Sequence, residues 1–334
     1  MSTLKHHLWT MLCIVLLSAC KNQNTVIVTN KNFEDVVAQQ QNLIFTFDKD
    51  LVDDSLLNRW DSIQYIAFTP TVRGLFKWNT NRELMFSPET SFGPATFYKA
   101  VVTDKILFGN RLLSFDAPAA YDFHTPLTQL EGLHAHWALS TQQNSIVLLA
   151  KLDFNYPVPS AQMKDLAQLK INEKVYPFTV VTNEASTEVV LEINNIQPAD
   201  FKKVNVSVSI NKGLACNGSN YKTENVLVKD ADVPLPDRLT VMNVSGEYDN
   251  TQPVIHVYTN QAVDLKQIET YVTVQPKIDF TTEAANDGFL IKGAFDPGQS
   301  YQLTVKKDLK GLIGGMLDQD FIATVPFGEM QPSI

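Results

Sequence analysis

The chain of 334 residues is built from short segments in which apolar and polar residues alternate with a period of two. Residues 204–210 show this most clearly, because Val204, Val206, Val208 and Ile210 are separated by asparagine and serine. Such alternation predicts β-strands with one buried face and one solvated face. No long segment shows the 3.6-residue period of a helix. The pattern therefore predicts an all-β protein.

The same order of segments occurs three times along the chain. Each copy opens with an extended segment that ends near Val52, Val158 or Val263 and closes on a strand of alternating apolar residues. Self-similarity of this kind indicates a tandem array. Short strands separated by Asn, Asp, Pro and Gly are typical of Ig-like or fibronectin-like β-sandwiches of about 100 residues. We predict three sandwiches, over residues 42–125, 126–232 and 233–334.

Three tight turns are predicted within these sandwiches. Residues 79–81 connect the strand that ends at Trp78 to the one that begins near Leu84, and residues 171–175 form a second hairpin. Residues 296–298 form a turn before the strand at 301–305. The aromatic residues Trp60, Trp78 and Phe86 are expected in the core, although exposed they would form a platform for a ligand.

The amino terminus has the features of an export signal. Lys5 precedes an apolar run over residues 8–17, which is about half the length needed to cross a bilayer. The run ends in Leu17-Ser18-Ala19-Cys20, which resembles a bacterial lipobox. We therefore expect residues 1–19 to be a signal peptide, Cys20 to be lipidated, and residues 20–41 to be a polar tether containing one edge strand in the TVIVT segment. This predicts a membrane-anchored lipoprotein of the bacterial cell envelope, facing the periplasm or lying at the outer-membrane surface.

Composition and charge restrict the classes of function. Hydrophobic residues make up 44% of the chain and charged residues 19%, which describes a folded chain rather than a disordered one. The net charge of −9, without a basic cluster, argues against a nucleic-acid partner. Of the three cysteines, Cys13 lies in the leader and Cys20 at its end, so Cys216 has no intrachain partner within the folded part.

Few residues of the sequence are candidates for catalysis or for metal binding. Cys216 lies between Gly213 and Gly218 with no histidine nearby to act as a base, which favours an ordinary loop cysteine over a catalytic thiol. His134 and His136 share a strand face as a metal pair would, but a third ligand is missing unless His124 folds back. A solvated or interdomain histidine pair is the favoured interpretation. We expect no catalytic residue, no metal and no cofactor.

Several segments carry a resemblance to a known family. The leader, followed by FTFDKDLV, YIAFTPTVRGLFKWN and ELMFSP, resembles the amino-terminal end of bacterial alpha-2-macroglobulin family lipoproteins, particularly those of Bacteroidetes. The closing ATVPFGEMQPSI resembles the junction into a further macroglobulin domain. The resemblance implies macroglobulin-type sandwiches and a protease trap, in which a protease cuts a bait region and the domains collapse around it.

The resemblance also implies what this chain does not do alone. Many family members capture the protease through a thioester formed in a Cys-x-Glu-Gln segment, whereas Cys216 is followed by Asn217-Gly218-Ser219. We therefore expect the anchoring and spacing domains of an endopeptidase inhibitor, as an amino-terminal piece without bait and thioester regions, with target proteases as partners of the full-length protein. An Ig-like surface binding module or adhesin stalk remains the alternative. An enzyme is not expected, because no convergent set of nucleophile and base is present.

Overall fold

The computed structural model describes residues 24–115, 119–140, 145–219, 221–249, 252–266, 268–285 and 287–328. The fold is nearly all β, and its antiparallel sheets confirm the predicted tandem β-sandwiches. The predicted signal peptide and Cys20 lie outside the described residues. Within those residues, none of the helices has the length and apolar character needed to cross a bilayer.

The strands are β1 Val28–Lys31, β2 Leu43–Phe47, β3 Trp60–Asp61, β4 Ile66–Thr69, β5 Gly74–Thr80, β6 Glu83–Pro88, β7 Phe97–Val102, β8 Ala120–His124, β9 Leu130–Leu139, β10 Ile146–Pro159, β11 Ala167–Ile171, β12 Lys174–Tyr176, β13 Thr179–Val180, β14 Ala185–Ile193, β15 Val204–Ile210, β16 Leu227–Val233, β17 Val241–Asp249, β18 Gln252–Thr259, β19 Val272–Gln275, β20 Phe280–Ala285, β21 Gly288–Gly293, β22 Ser300–Val305 and β23 Phe321–Pro326. The helical segments are the helix α1 Met163–Leu166 and the 3₁₀ turns Asp54–Leu56, Asp104–Leu107, Ser160–Gln162, Pro198–Asp200 and Ile268–Thr270.

The first compact unit contains the described residues up to Leu127 together with the segment Gly218–Tyr221. Its sheets have the strand orders β1-β2-β6-β5-β3 and β4-β7-β8. Alternation places Phe45 and Phe47 inward, as predicted, and both are almost fully buried. The core between the sheets is dominated by rings, many in edge-to-face contact: Phe33, Phe45, Phe47, Tyr65, Phe68, Phe76, Trp78, Phe86, Phe92, Tyr98 and Phe123.

Two predictions for this unit need correction. The part of the predicted tether that the structure describes, residues 24–41, is not simply a tether, because Val26, Phe33 and Val37 are buried in the first core and β1 pairs with β2 as an edge strand. The polar composition of this segment concealed its three widely spaced apolar anchors. Trp60 is not a core residue: its side chain is 48% exposed on the short strand β3, whereas Trp78 and Phe86 are each 1% exposed.

The second compact unit contains residues from Thr128 onward, except the segment assigned to the first unit. One part of it has the sheets β13-β14-β10-β9 and β12-β11-β15-β16, and the other has β17-β18-β21-β20 and β19-β22-β23. Each part has a core cluster of its own. Contacts between them make one compact unit of the predicted second and third sandwiches, while the boundary at residues 232–233 stays a prediction.

The predicted local features of the second unit are confirmed. The four alternating residues from Val204 to Ile210 are fully buried on β15. Strands β11 and β12 form the predicted hairpin, and Asn172 and Glu173 adopt the positive φ values that its two-residue turn requires. The turn before β22 has Gly298 at a φ of +78°. The predicted hairpin of β5 and β6 in the first unit is confirmed as well.

Candidate functional site

A cluster of ionisable side chains joins the second and third sandwiches within the second unit. We call it the charged joint, and it consists of His136, Lys151, Glu188, Glu247, His256, Tyr258 and Asp287. These side chains, with Leu149 and Val190, line a cavity of about 190 Å³. Strands β9, β10 and β14 supply the residues of the second sandwich, and β17, β18 and the turn before β21 supply those of the third.

Lys151 and Asp287 form the central ion pair of the charged joint. The Nζ of Lys151 lies 3.3 Å from Oδ2 of Asp287 and 3.2 Å from Oε1 of Glu188. The side chains of Lys151 and Asp287 are only 12% and 10% exposed, whereas Glu188 is 60% exposed. Burial alone lowers the pKa of Lys151, but the two carboxylates outweigh it and raise that pKa. Lys151 is therefore a cation and not an amine nucleophile.

His256 is held between two carboxylates. Its Nε2 lies 3.0 Å from Oδ1 of Asp287 and its Nδ1 lies 3.6 Å from Oε2 of Glu247. Burial by itself lowers the pKa of His256, but the bonds to Asp287 and Glu247 outweigh it and raise the pKa to about 9. The imidazole is thus charged at neutral pH and donates from Nε2 to Asp287, while its Nδ1 faces Glu247.

The pKa values of Glu247 and Asp287 shift in the opposite direction to that of His256. The hydrogen bond from His256, together with those from Ser245 and Tyr258, outweighs burial and lowers the pKa of Glu247 to about 2. Burial raises the pKa of Asp287, but the His256 bond and the Lys151 charge outweigh it and hold that pKa well below its usual range. Both groups are therefore ionised throughout the neutral range.

The position of Asp287 depends on the glycine that follows it. Gly288 has a φ of +149°, and a Cβ placed there would lie 1.9 Å from the carbonyl oxygen of Val257. The backbone of Thr259 also donates to the carbonyl of Asp287 at 2.7 Å. Only glycine permits this close approach of β21 to β18, so the backbone itself presents Asp287 to Lys151 and His256.

His136 differs from its charged neighbours. It is 3% exposed, and neither ring nitrogen has a hydrogen-bond partner among the described residues. Burial lowers the pKa of His136 to about 4, so the ring is neutral at physiological pH. His134 is its neighbour on the same face. The Nε2 of His134 lies 3.1 Å from Oδ2 of Asp153, and its ring stacks on Tyr258.

The predicted histidine pair is therefore an interdomain pair within this unit. His124 belongs to the first unit, where its ring contacts Phe97. Within the described residues, no group of three or more His, Cys, Asp or Glu side chains is arranged to hold a metal ion. Cys216 is a free thiol, 3% exposed. The ionisable side chains of the charged joint neutralise one another through the ion pairs described above.

A second polar cluster, the amide joint, consists of Asn260, Gln261, Trp137 and the linker over residues 234–238. Nδ2 of Asn260 donates to the carbonyls of Leu235 and Arg238 at 3.0 and 2.9 Å, and Nε2 of Gln261 donates to that of Pro236 at 2.9 Å. Both amide side chains are fully buried.

Trp137 completes the amide joint from the second sandwich. Its indole Nε1 donates to the carbonyl of Pro234 at 3.0 Å, and its backbone N–H donates to the carbonyl of Asn260 at 2.8 Å. Prolines in the linker bring no N–H donors of their own. Side chains from both sandwiches therefore satisfy the linker carbonyls.

Sequence reasoning missed both joints. A signal was nevertheless present, because Lys151 and His256 interrupt otherwise apolar strands, LLAKLDF and VIHVYT. An ionisable residue on a buried face requires a partner, which sequence alone does not identify.

Two bacterial proteins show weak sequence similarity to this chain. The Alpha-2-macroglobulin of Pasteurella multocida (strain Pm70) is 20% identical over 290 residues, which cover 78% of this chain and 14% of that protein. The Alpha-2-macroglobulin homolog of Yersinia pestis is 26% identical over 227 residues, which cover 63% of this chain and 11% of that protein. The chain is thus weakly homologous to bacterial alpha-2-macroglobulins and spans a small fraction of their length. No protein-family model matches it.

The similarity to solved structures is too low to support a conclusion about this chain. L,D-transpeptidase 3 from Mycobacterium tuberculosis, in complex with a faropenem-derived adduct, aligns with a TM-score of 0.21 at 14% identity, over 46% of this chain and 63% of that chain. Mouse Protocadherin-24 EC1-3 aligns with a TM-score of 0.15 at 12% identity, over 83% and 95% of the two chains. At such TM-scores neither likeness bears on fold or function.

Proposed function

We propose that this chain is the anchoring and spacing arm of a bacterial macroglobulin-like protease trap. In this proposal Cys20 carries the lipid anchor in the cell envelope, the sandwiches hold the rest of the trap away from the membrane, and target proteases engage the full-length protein. The arm itself performs no catalysis. The weak homology to bacterial alpha-2-macroglobulins supports the family part of this proposal.

One observation carries the spacing role: the amide joint turns a linker into a fixed connection. A free linker of prolines and charged residues would let two sandwiches move independently. Here Asn260, Gln261 and Trp137 hold four of the linker carbonyls, and the Lys151–Asp287 pair adds a second connection. A rigid pair of domains suits a spacer better than a flexible tether does.

Covalent capture does not fit the residues of this chain. A thioester needs a Cys-x-Glu-Gln segment, and the chain has none. Cys216 is buried and is followed by Asn217-Gly218. Protease capture is therefore assigned to other parts of the full-length protein.

The experiment that tests the arm is a protection assay. The purified chain and the longest product of its gene are each incubated with trypsin and then given a small and a large substrate, and denaturing gels are examined for covalent adducts. We expect protection by the longer product and none by this chain. Protection or an adduct with this chain alone contradicts the spacing role, and no protection by a longer product contradicts the trap.

The anchor is tested separately by substituting Cys20→Ala and fractionating the cells. Cys13→Ala is the matched control, because it changes a cysteine of the same leader that does not follow the small residues of the lipobox. We expect release from the membrane with the first substitution and retention with the second. Equal retention of both contradicts lipidation at Cys20.

A further inference from the structure

The outer face of the five-stranded sheet in the first unit carries an exposed tryptophan. Strand β3 is only two residues long, and its Trp60 pairs with Lys77 of β5. The ammonium of Lys77 lies 5.0 Å from the indole centroid, which orients the ring. The other tryptophans in the described residues, Trp78 and Trp137, are 1% and 0% exposed. A fixed, exposed ring on the outer face of the sheet calls for an explanation by binding.

Strand register places further side chains on the same face as Trp60. Leu75 lies opposite Ser87, two residues from the Lys77 position, and it is 46% exposed. One step further, the backbone N–H of Glu89 donates to the carbonyl of Arg73 at 2.9 Å, which sets these two residues side by side. Because side chains alternate along a strand, all of these residues point away from the core.

Two cavities share Glu89: the first lies on this face, and the second lies beyond the start of β5 and the end of β6. The first, of about 270 Å³, is lined by Trp60, Gly74, Leu75, Ser87, Pro88 and Glu89. The second, of about 480 Å³, is lined by Arg73 and Glu89 and by the hydroxyl residues Thr71, Thr90, Ser91 and Tyr98, with Val72 and Gly93. Ligand pockets typically measure about 300 to 1,000 Å³, so the pair is of ligand size.

The charged side chains of this face are open to a ligand. Arg73 and Glu89 line the same cavity, yet within the described residues neither side chain forms an ion pair or a side-chain hydrogen bond. By contrast, Arg82 on the same sheet is paired with Asp50 at 2.6 Å. A guanidinium and a carboxylate that remain unpaired side by side supply several donors and two acceptors.

We propose that this face of the first unit is a binding groove for an oligosaccharide of pyranose sugars. The flat C–H face of a pyranose packs on the indole of Trp60 and on Leu75 and Pro88, because polarised C–H groups are attracted to the negative face of the ring. Neighbouring hydroxyl groups on the next sugar then bind Glu89 as an acceptor and Arg73 as a donor. An apolar peptide side chain would use the first cavity and leave the polar second cavity unexplained.

This inference does not depend on the proposed protease trap. The probes are cellotetraose and N-acetylchitotetraose, which share the flat pyranose face and differ in the acetamido group, with mannitol as an acyclic polyol. Binding is followed by tryptophan fluorescence and by acrylamide quenching of the full chain. The difference between wild type and Trp60→Phe isolates the signal of Trp60 from the other tryptophans.

We expect at least one tetrasaccharide to shield Trp60 from acrylamide with a millimolar or lower Kd, and mannitol to have no effect. Trp60→Ala is expected to weaken binding at least tenfold and Glu89→Gln severalfold, while Trp60→Phe retains part of the affinity. Leu112→Ala is the matched control, because Leu112 is an exposed apolar residue of the same unit outside both cavities.

Three outcomes overturn the groove. The first is that neither sugar shields Trp60 from acrylamide at concentrations up to about 20 mM. The second is equal affinity of Trp60→Ala and wild type, measured by calorimetry with unchanged thermal unfolding. The third is shielding of Trp60 by an extended Phe-rich hexapeptide when neither sugar shields it, which would identify a peptide site.

Discussion

The charged joint and the amide joint connect the same two sandwiches with different chemistry. The charged joint neutralises Lys151 and His256 with Asp287, Glu188 and Glu247, so its strength depends on protonation. The amide joint uses Asn260 and Gln261, which do not titrate, to satisfy the carbonyls of the linker. One connection is therefore sensitive to pH and the other is not. A chain with both retains its linker geometry when the ion pairs weaken.

The largest effect is expected from removing the central amide of the pH-insensitive connection. Asn260→Ala leaves the carbonyl of Leu235 and the N–H of Thr240 without this partner, and the carbonyl of Arg238 keeps only the longer bond from Gln261. Each unsatisfied buried group costs about 1 to 3 kcal/mol, so we expect the free energy of unfolding to fall by about 3 to 5 kcal/mol. Urea unfolding measures this.

The control for that substitution is Asn243→Ala, which removes an exposed amide from β17. It should change the free energy of unfolding by less than about 0.5 kcal/mol. A loss below about 1 kcal/mol for Asn260→Ala would show that water replaces the amide and that the linker is not fixed by it.

A smaller loss is expected at the centre of the charged joint. Asp287→Asn removes the buried charge shared by Lys151 and His256, each of which keeps a second carboxylate. Breaking a buried pair costs about 3 to 5 kcal/mol when one charge is left alone, so the remaining partners reduce the expected loss to about 2 to 3 kcal/mol.

Chemical denaturation measures the loss caused by Asp287→Asn. Asp318→Asn is its control, because it breaks an exposed pair with Arg238. In a double-mutant cycle, Lys151→Met should cost less in the Asp287→Asn background than in wild type. Additive losses would mean that the two side chains are neighbours without being energetically coupled.

The pH dependence of stability distinguishes the two joints. The pKa of His256 is raised to about 9, so the stabilisation it gives is complete below its unfolded pKa near 6.5 and is lost as pH rises towards 9. The pKa of His136 is lowered to about 4, so the unfolded chain takes up a proton below pH 6.5 that the folded chain refuses, and stability falls towards pH 4. Stability should therefore be greatest near pH 6.5.

We expect the free energy of unfolding to fall by roughly 2 kcal/mol between pH 6.5 and 9. On the acid side it should fall further as Glu247 and Asp287 are protonated. His256→Gln should flatten the alkaline side, and His136→Leu the acid side. Asn260→Ala should lower the whole curve without changing its shape. An alkaline side that is unchanged by His256→Gln contradicts the assignment of that titration.

The smallest effect is expected at the exposed end of the charged joint. Glu188 is 60% exposed, so Glu188→Gln should lower the free energy of unfolding by about 0.5 kcal/mol or less, and the loss should diminish in high salt. Equilibrium unfolding at two salt concentrations measures it. A loss equal to that of Asp287→Asn would show that Lys151 depends on Glu188 rather than on Asp287.

The features that could be predicted from the sequence are those that depend on the local pattern of residues. Alternation identified the buried faces of β2 and β15, and turn chemistry identified the β5–β6 and β11–β12 hairpins, although β5 extends to Thr80 and its turn lies at residues 81–82. It misplaced Trp60, because an aromatic residue beside a turn has the same local pattern whether its strand continues the sheet or ends at two residues. It also treated residues 20–41 as a tether, since isolated apolar residues such as Val37 have no period to detect.

The joints were beyond prediction for a different reason. Lys151 and Asp287 are 136 positions apart, and only the packing of two sandwiches brings them together. The buried amides Asn260 and Gln261 follow a strand, where asparagine is ordinarily interpreted as a turn residue. Their partners are linker carbonyls, which every residue possesses and no sequence pattern marks.

Strand β10 has a mechanical consequence for an arm that connects an anchor to a larger assembly. It has 14 residues, a length of roughly 45 Å at the usual rise per residue, and it pairs with β9 on one side and β14 on the other. A pull along this strand loads its ladders in shear, so many hydrogen bonds must break together rather than one after another. Single-molecule stretching should therefore show the second sandwich yielding at a higher force than a sandwich pulled open from its edge.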